Sequence, residues 1–217
     1  ENGQKVVVVD MKYSRDKSKL GIISPLWFLI PLVLVLFNFI LGITLYPTLP
    51  DRIPTHWNFQ GEITTYSNKS YEVVLMLPMV QLLMLGILYF SHWSIGRTKQ
   101  QINPNNPKDS LKKNIIFRKA WSIYLFIITL LIILLFTSLN LLSYGIFFKT
   151  IKVVNILSWI ILGFSIIGAI ILSVKIGQGG ERLKLNDTEE LERIYARDDD
   201  YLWKLGNTIS YNPEDSS

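Results

Sequence analysis

The chain of 217 residues has no cysteine and only two histidines, His56 and His92. The first absence excludes disulfides and thiolate metal ligands or nucleophiles, while leaving the redox compartment open. A glycine-rich phosphate loop, a paired-histidine zinc helix and a serine elbow are missing too, so the sequence reads as no enzyme and calls for no cofactor. Charge is also missing from the long apolar runs. Gly21 to Tyr46, Val73 to Ser91, Ala120 to Phe148 and Val153 to Val174 contain no Asp, Glu, Lys or Arg. Ion- and proton-coupled transporters commonly keep an ionisable residue in such runs, which speaks against a pump.

What is present is apolar and gathered into blocks. Hydrophobic residues make up 49% of the chain, and each block is about as long as the 20 residues needed to cross a hydrocarbon core. The expected fold is therefore an all-α membrane protein, a four-helix transmembrane bundle with a structured extracytoplasmic loop and small cytoplasmic termini. The predicted spans cover about 22–46, 72–94, 119–145 and 153–175, within a membrane domain of 21–177. They are flanked by a cytoplasmic N-terminal segment, 1–20, and a cytoplasmic C-terminal module, 178–217. An external loop, 47–70, joins the first two spans, and a cytoplasmic loop, 96–118, joins the next two. Glu1 in place of Met and the lack of a visible signal peptide suggest a piece of a longer protein.

Orientation follows from the cations. Lys and Arg number five before the first span, two in the 47–70 loop, seven from Arg97 to Lys119, two at Lys149 and Lys152, and six from Lys175 onward. The positive-inside rule then puts both termini and the middle loop in the cytoplasm, with the His56 loop and the Lys149 turn facing outward. The net charge of +5 is read as lipid-headgroup contact and topology, not as nucleic-acid binding.

Prolines punctuate the chain. Pro31 is expected to kink the first span, while Pro78 falls near the start of the second, where lost backbone bonding is tolerated. Asn106-Pro107 reads as an N-cap and first helical residue. The third charge-free run exceeds a vertical crossing, so it either tilts or lays its Leu141 to Phe148 end along the interface. Lys5 to Val9 reads as a short strand with Thr208 to Tyr211 as a candidate partner.

Within the spans, Asn38, Gln81, Asn140 and Asn155 fall at or beyond the midplane toward the outer side, together with Thr137, Ser138 and Ser158. They read either as interhelical hydrogen-bonding groups or as a polar pocket opening outward. Ser165, Ala169 and Ser173 form a four-residue ridge for close helix packing, internal or against a partner subunit. His92, beside Trp93, is expected to be an interfacial anchor.

The most structured polar stretch is PTLPDRIPTHWNFQGEITTYSNK, Pro47 to Lys69. Its three prolines exclude a helix, and His56-Trp57-Asn58 with Gly61 marks a shaped turn. It is either a strand-and-turn cap on two helices or a ligand site. His56 with Asp51 and Glu62 is the one conceivable metal set, without defined spacing.

With Leu49, Pro50, Ile53, Pro54, His56, Trp57, Asn58, Gly61 and Lys69 in place, this loop resembles that of the SdpI-type bacteriocin-immunity membrane proteins and their uncharacterised relatives in Gram-positive bacteria. It departs from them at Thr64 and Thr65, where an acidic residue is often found. The resemblance implies an immunity or signalling protein that binds an extracytoplasmic peptide or lipid near the His56 loop. Pro54, His56, Trp57, Asn58, Gly61 and Lys69 are the candidate loop residues, and a secreted peptide toxin, membrane lipid and a membrane partner or regulator are the implied partners. The competing reading is a structural or regulatory subunit of a membrane transporter complex. The C-terminal stretch from Asp198 through Trp203, Gly206, Tyr211, Asn212 and Pro213 resembles a second, uncharacterised module that accompanies this loop.

Overall fold

A computed structural model describes residues 21–58, 60–97, 107–146 and 151–183. The 5–9 and 208–211 strands, the Asn106 cap and most of the C-terminal module lie outside the described residues. Four helices, α1 (Leu29–Leu45), α2 (Tyr71–Ile95), α3 (Pro107–Ser143) and α4 (Lys152–Ile176), carry the fold. Each is long and apolar enough to cross a membrane, the arrangement of a multi-pass membrane protein. Leu36 and Ile40 on α1, Leu83 and Phe90 on α2, and Trp159 and Ile160 on α4 lie exposed on their surfaces. Such outward faces suit hydrocarbon and would be unfavourable in water.

The fold is not wholly helical. Between α1 and α2 the chain forms an antiparallel hairpin, β1 (Arg52–Trp57) and β2 (Ile63–Asn68). Pro50 and Pro54 forbid a helix here, and Ser70 then starts α2 by accepting the Val73 N–H at 3.2 Å on its hydroxyl.

Two proline expectations change. Pro31 falls in the first turn of α1, directly after a 3-10 turn at Pro25–Phe28. Its missing N–H costs little there, so it marks a helix start rather than a mid-span kink. Pro78 is the eighth residue of α2 and removes the bond to the Val74 carbonyl. The Tyr144 hydroxyl donates to that carbonyl at 2.7 Å. Tyr144 can reach it because position 42 of α1 is glycine: a Cβ there would stand 2.7 Å from the hydroxyl oxygen.

The chain divides into two compact units. One comprises Ile23–Trp93 and Ile123–Ile170; the described part of the other is 21–22, 94–97, 107–122 and 171–183. In the first, Phe28, Val35, Leu85 and Ile133 form one buried cluster. Leu49, Ile53, Val74 and Tyr144 form a second, and Leu142, Ile151 and Val154 a third against Trp57. Phe28 meets Tyr89, His92 and Phe126 at ring distances of 5.4, 4.7 and 5.6 Å. His92, expected at the interface, is only 1% exposed. The 3-10 turn carrying Phe28 covers its ring, which makes it a packing residue.

The four-residue ridge on α4 divides between the units. The Tyr124 hydroxyl donates to the Ser165 carbonyl, and its ring fills the space a Cβ on Gly168 would need. Ser165 and Ala169 are half-buried while Ser173 is exposed. In the second unit Ile115, Asn114, Arg118 and Ser122 are buried. Arg182 donates to the Val174 carbonyl at 3.3 Å, closing the C-terminal turn of α4.

Candidate functional site

Apolar packing and hydrogen bonds fasten the hairpin to the helices. Ile53 is 1% exposed within the Val74 and Tyr144 cluster, and the Ser143 hydroxyl donates to the Pro54 carbonyl at 2.9 Å. At its base, the Lys69 N–H donates to the Asp51 carbonyl and its Nζ to the Leu49 carbonyl, each at 2.8 Å. Lys69 Nζ also lies 5.5 Å above the Tyr46 ring, which stacks on Tyr71 at 3.9 Å.

Its far end is closed by Asn58. Asn58 Nδ2 donates to Glu62 Oε2 and the Glu62 N–H donates to Asn58 Oδ1, both at 2.8 Å. Gly61 takes φ of +93°, a left-handed conformation that side chains resist, and its N–H donates to the Asn58 carbonyl at 3.0 Å. Asn58 and Gly61 therefore define the turn.

Strand register breaks between these ends. Pro54 pairs with Tyr66, His56 with Thr65 and Trp57 with Ile63, so Thr55 is skipped on β1 and Thr64 on β2. Skips of this kind re-aim the side chains beside them. His56 is exposed, with Nδ1 3.4 Å from the Thr55 hydroxyl, while Trp57 is half-buried against Leu142, Ile151 and Val154.

Five of the six loop candidates, Pro54, Trp57, Asn58, Gly61 and Lys69, thus fasten the hairpin or shape its turn. His56 alone is presented outward. The conceivable metal set does not assemble. Asp51 lies 3.8 Å from Lys69 and Glu62 is taken by Asn58, and no three potential ligands gather among the described residues.

Beneath β1 lies a cleft of about 260 Å³. His56, Thr55 and Trp57 line one side, Met76 and Leu77 of α2 another, and Leu139 and Asn140 of α3 the inner wall. Behind that wall three of the four intramembrane candidates join around Thr137. Asn38 Nδ2 donates to the Thr137 hydroxyl at 2.8 Å and Gln81 Nε2 to the same oxygen at 3.0 Å. Thr137 donates onward to the Ile133 carbonyl at 2.8 Å. Asn140 Nδ2 donates to Asn38 Oδ1 at 3.3 Å. Asn38 and Gln81 are fully buried and Asn140 is 1% exposed. Asn155 stands apart, half-buried on α4.

Sequence reasoning did not single out Ser143, Tyr144 and Gly42. A signal existed for one: Pro78 leaves the carbonyl four residues earlier in need of a donor. Nothing in the linear pattern says that Tyr144 supplies it.

Residues 33–82 match the family described as Domain of unknown function (DUF1648). The matched stretch takes in most of α1, the whole hairpin and half of α2, including His56, Asn38 and Gln81. Thr137, Asn140, Ser143 and Tyr144 of the opposing wall lie outside it. No curated protein and no solved structure matches the chain.

Proposed function

We propose that this is a non-enzymatic membrane protein of the immunity or sensing type, akin to the SdpI-type proteins, which binds a peptide or lipid in the cleft beneath the hairpin. In this reading the hairpin faces the outside of a bacterial cytoplasmic membrane and both ends of the chain face the cytoplasm, in keeping with the alternation of Lys and Arg. The observation that carries it is the division of labour within the loop. Five motif residues hold a rigid frame, and the sixth, His56, is left exposed on a cleft whose remaining walls are largely apolar.

The test is to delete the gene and challenge the cells with peptides secreted by the same and neighbouring strains, beside cells carrying His56→Ala. Increased sensitivity in both, with normal protein levels, is expected. Unchanged sensitivity together with stable co-purification of another membrane protein would instead establish a structural or regulatory subunit. That second reading has its own support in α2 and α4, where Gly86 and Gly163 leave open notches with nothing within 4 Å of an added Cβ.

A further inference from the structure

The hairpin has two edges, and they meet different surroundings. The Lys69 N–H bonds to the Asp51 carbonyl, so the neighbouring pair, Arg52 and Asn68, is of the kind that exchanges no backbone hydrogen bonds. Such pairs alternate with bonded ones along an antiparallel ladder, which puts Pro54 and Tyr66 in the same class. The peptide groups of these residues therefore point away from the partner strand. On β1 the Pro54 carbonyl, aimed in this way, accepts the Ser143 hydroxyl of α3 at 2.9 Å. The free edge of β1 is thus turned to the helices, and that of β2 away from them.

On the β2 edge the N–H and C=O groups of Tyr66 and Asn68 find no partner among the described residues. Every residue of β2 except Ser67 is exposed, and Tyr66 keeps 49% of its surface. Folded proteins commonly guard such an edge with proline, lysine or inward-pointing charge. Ile63–Asn68, ITTYSN, has none of these. Its one interruption is the skip at Thr64, which confines the regular edge to residues 65–68.

The backbone pattern selects the occupant. Donors and acceptors at strand spacing are matched by another extended chain, and not by a helix, whose own backbone groups are already bonded, nor by a lipid tail. A second copy in the same membrane is unsuited, because two copies side by side present this edge in the same direction, away from their helices. Both tails of this chain lie across the membrane from the hairpin in the proposed topology. What remains is a polypeptide that arrives from the aqueous side.

We infer that β2 is a docking edge for an extended segment of another polypeptide, which adds a third strand by pairing with Tyr66 and Asn68. β2 offers no counter-charge, so the segment is uncharged where it pairs, and it has no proline there. Opposite the Tyr66 ring it carries a β-branched or aromatic residue, the cross-strand partner such a ring favours. This edge is distinct from the cleft beneath β1 and needs no ligand there; it takes from the proposed function only the side of the membrane on which the hairpin lies.

The test uses the full chain in nanodiscs of neutral lipid and a soluble probe peptide with the core Thr-Val-Tyr-Val-Thr between flanking lysines. Saturation with the probe should slow amide exchange, read by NMR, about tenfold or more at Tyr66 and Asn68. Ser67, whose N–H already faces β1, should change little. The same peptide N-methylated through its core keeps its side chains but loses its donors, and should bind at least about tenfold more weakly. Tyr66→Pro removes an N–H that the hairpin itself does not use, and should weaken the probe about tenfold. Tyr66→Ala, which keeps that N–H, should weaken it less. Unshifted Gly61 and Glu62 amides and an unchanged thermal midpoint establish that the hairpin is intact in each variant.

No binding of the probe, equal binding of the N-methylated peptide, or binding that leaves exchange at Tyr66 and Asn68 unchanged would each overturn the inference. So would slowing at these amides that rises with protein concentration in the absence of peptide, which marks a second copy as the occupant. If the edge takes the probe as expected while His56→Ala fails to sensitise cells, this inference stands and the cleft reading falls. If the probe fails while His56→Ala sensitises them, the cleft reading stands and this inference falls.

Discussion

Two ends of the unit formed by Ile23–Trp93 and Ile123–Ile170 are held by different forces. Around Phe28 the contacts are rings and aliphatic side chains: Tyr89, His92, Phe126, Val35 and Leu85. Around Thr137 and Tyr144 they are hydrogen bonds between helices, from Asn38, Gln81 and Tyr144. Lipid removes most of the hydrophobic drive for helix association, so packing must hold the first end, while at the second each polar group needs a partner. The polar end is also where the hairpin docks and the cleft opens. Groups with strict geometric demands leave acceptors over at Gln81 Oε1 and Asn140 Oδ1, which an aromatic core would not do.

The largest loss of stability is expected at the aromatic end. Phe28→Ala removes a ring that touches three others. It should destabilise the protein by about 2–3 kcal/mol, below the full aqueous value for such a change because lipid weakens the transfer contribution. Unfolding in mixed micelles measures it. A loss under about 1 kcal/mol would mean the ring cluster is incidental.

At the polar end the larger effect is expected from Tyr144→Phe, which leaves the Val74 carbonyl without a donor at a cost of about 1–2 kcal/mol. Pro78 supplies an internal control. In a Pro78→Ala background residue 78 regains its N–H and can bond Val74 itself, so the tyrosine change should cost less than half as much. A double-mutant cycle reads the coupling, and strict additivity would refute the substitution of one donor for the other.

Thr137→Val keeps the shape of the side chain while removing the acceptor shared by Asn38 and Gln81. About 1 kcal/mol should be lost, because each amide retains a bond to a backbone carbonyl. Thr137→Ser should restore most of it. Smallest of all, Asn58→Ala should cost about 0.5–1 kcal/mol and be seen mainly as faster amide exchange at Gly61 and Glu62, since the turn lies at the far end of the hairpin.

The helical part of this fold was legible because charge-free runs of membrane length have few alternatives, and the prolines of the 47–69 loop excluded a fifth helix. Strand register was not legible. Only pairing shows that Thr55 on one strand and Thr64 on the other are both skipped, on either side of the His56 pair. Closeness to a helix end points His92 at an interface, whereas the Phe28 ring brought by a 3-10 turn buries it. Depth groups Asn38, Gln81, Asn140 and Asn155 together, but depth does not give the face of a helix, and Asn155 stands apart from the other three. The cleft itself draws on β1, α2, α3 and Ile151, a convergence no single stretch announces.

In the proposed function His56 stands exposed on the outer side of the membrane at the mouth of a ligand site. The absence of cysteine permits a direct measurement: His56→Cys would carry the only thiol in the chain. On intact cells it should react with an impermeant maleimide, and prior addition of the peptide to which the deletion strain is sensitive should slow the reaction severalfold. Labelling that appears only after the cells are permeabilised, or a rate that the peptide leaves unchanged, would contradict it.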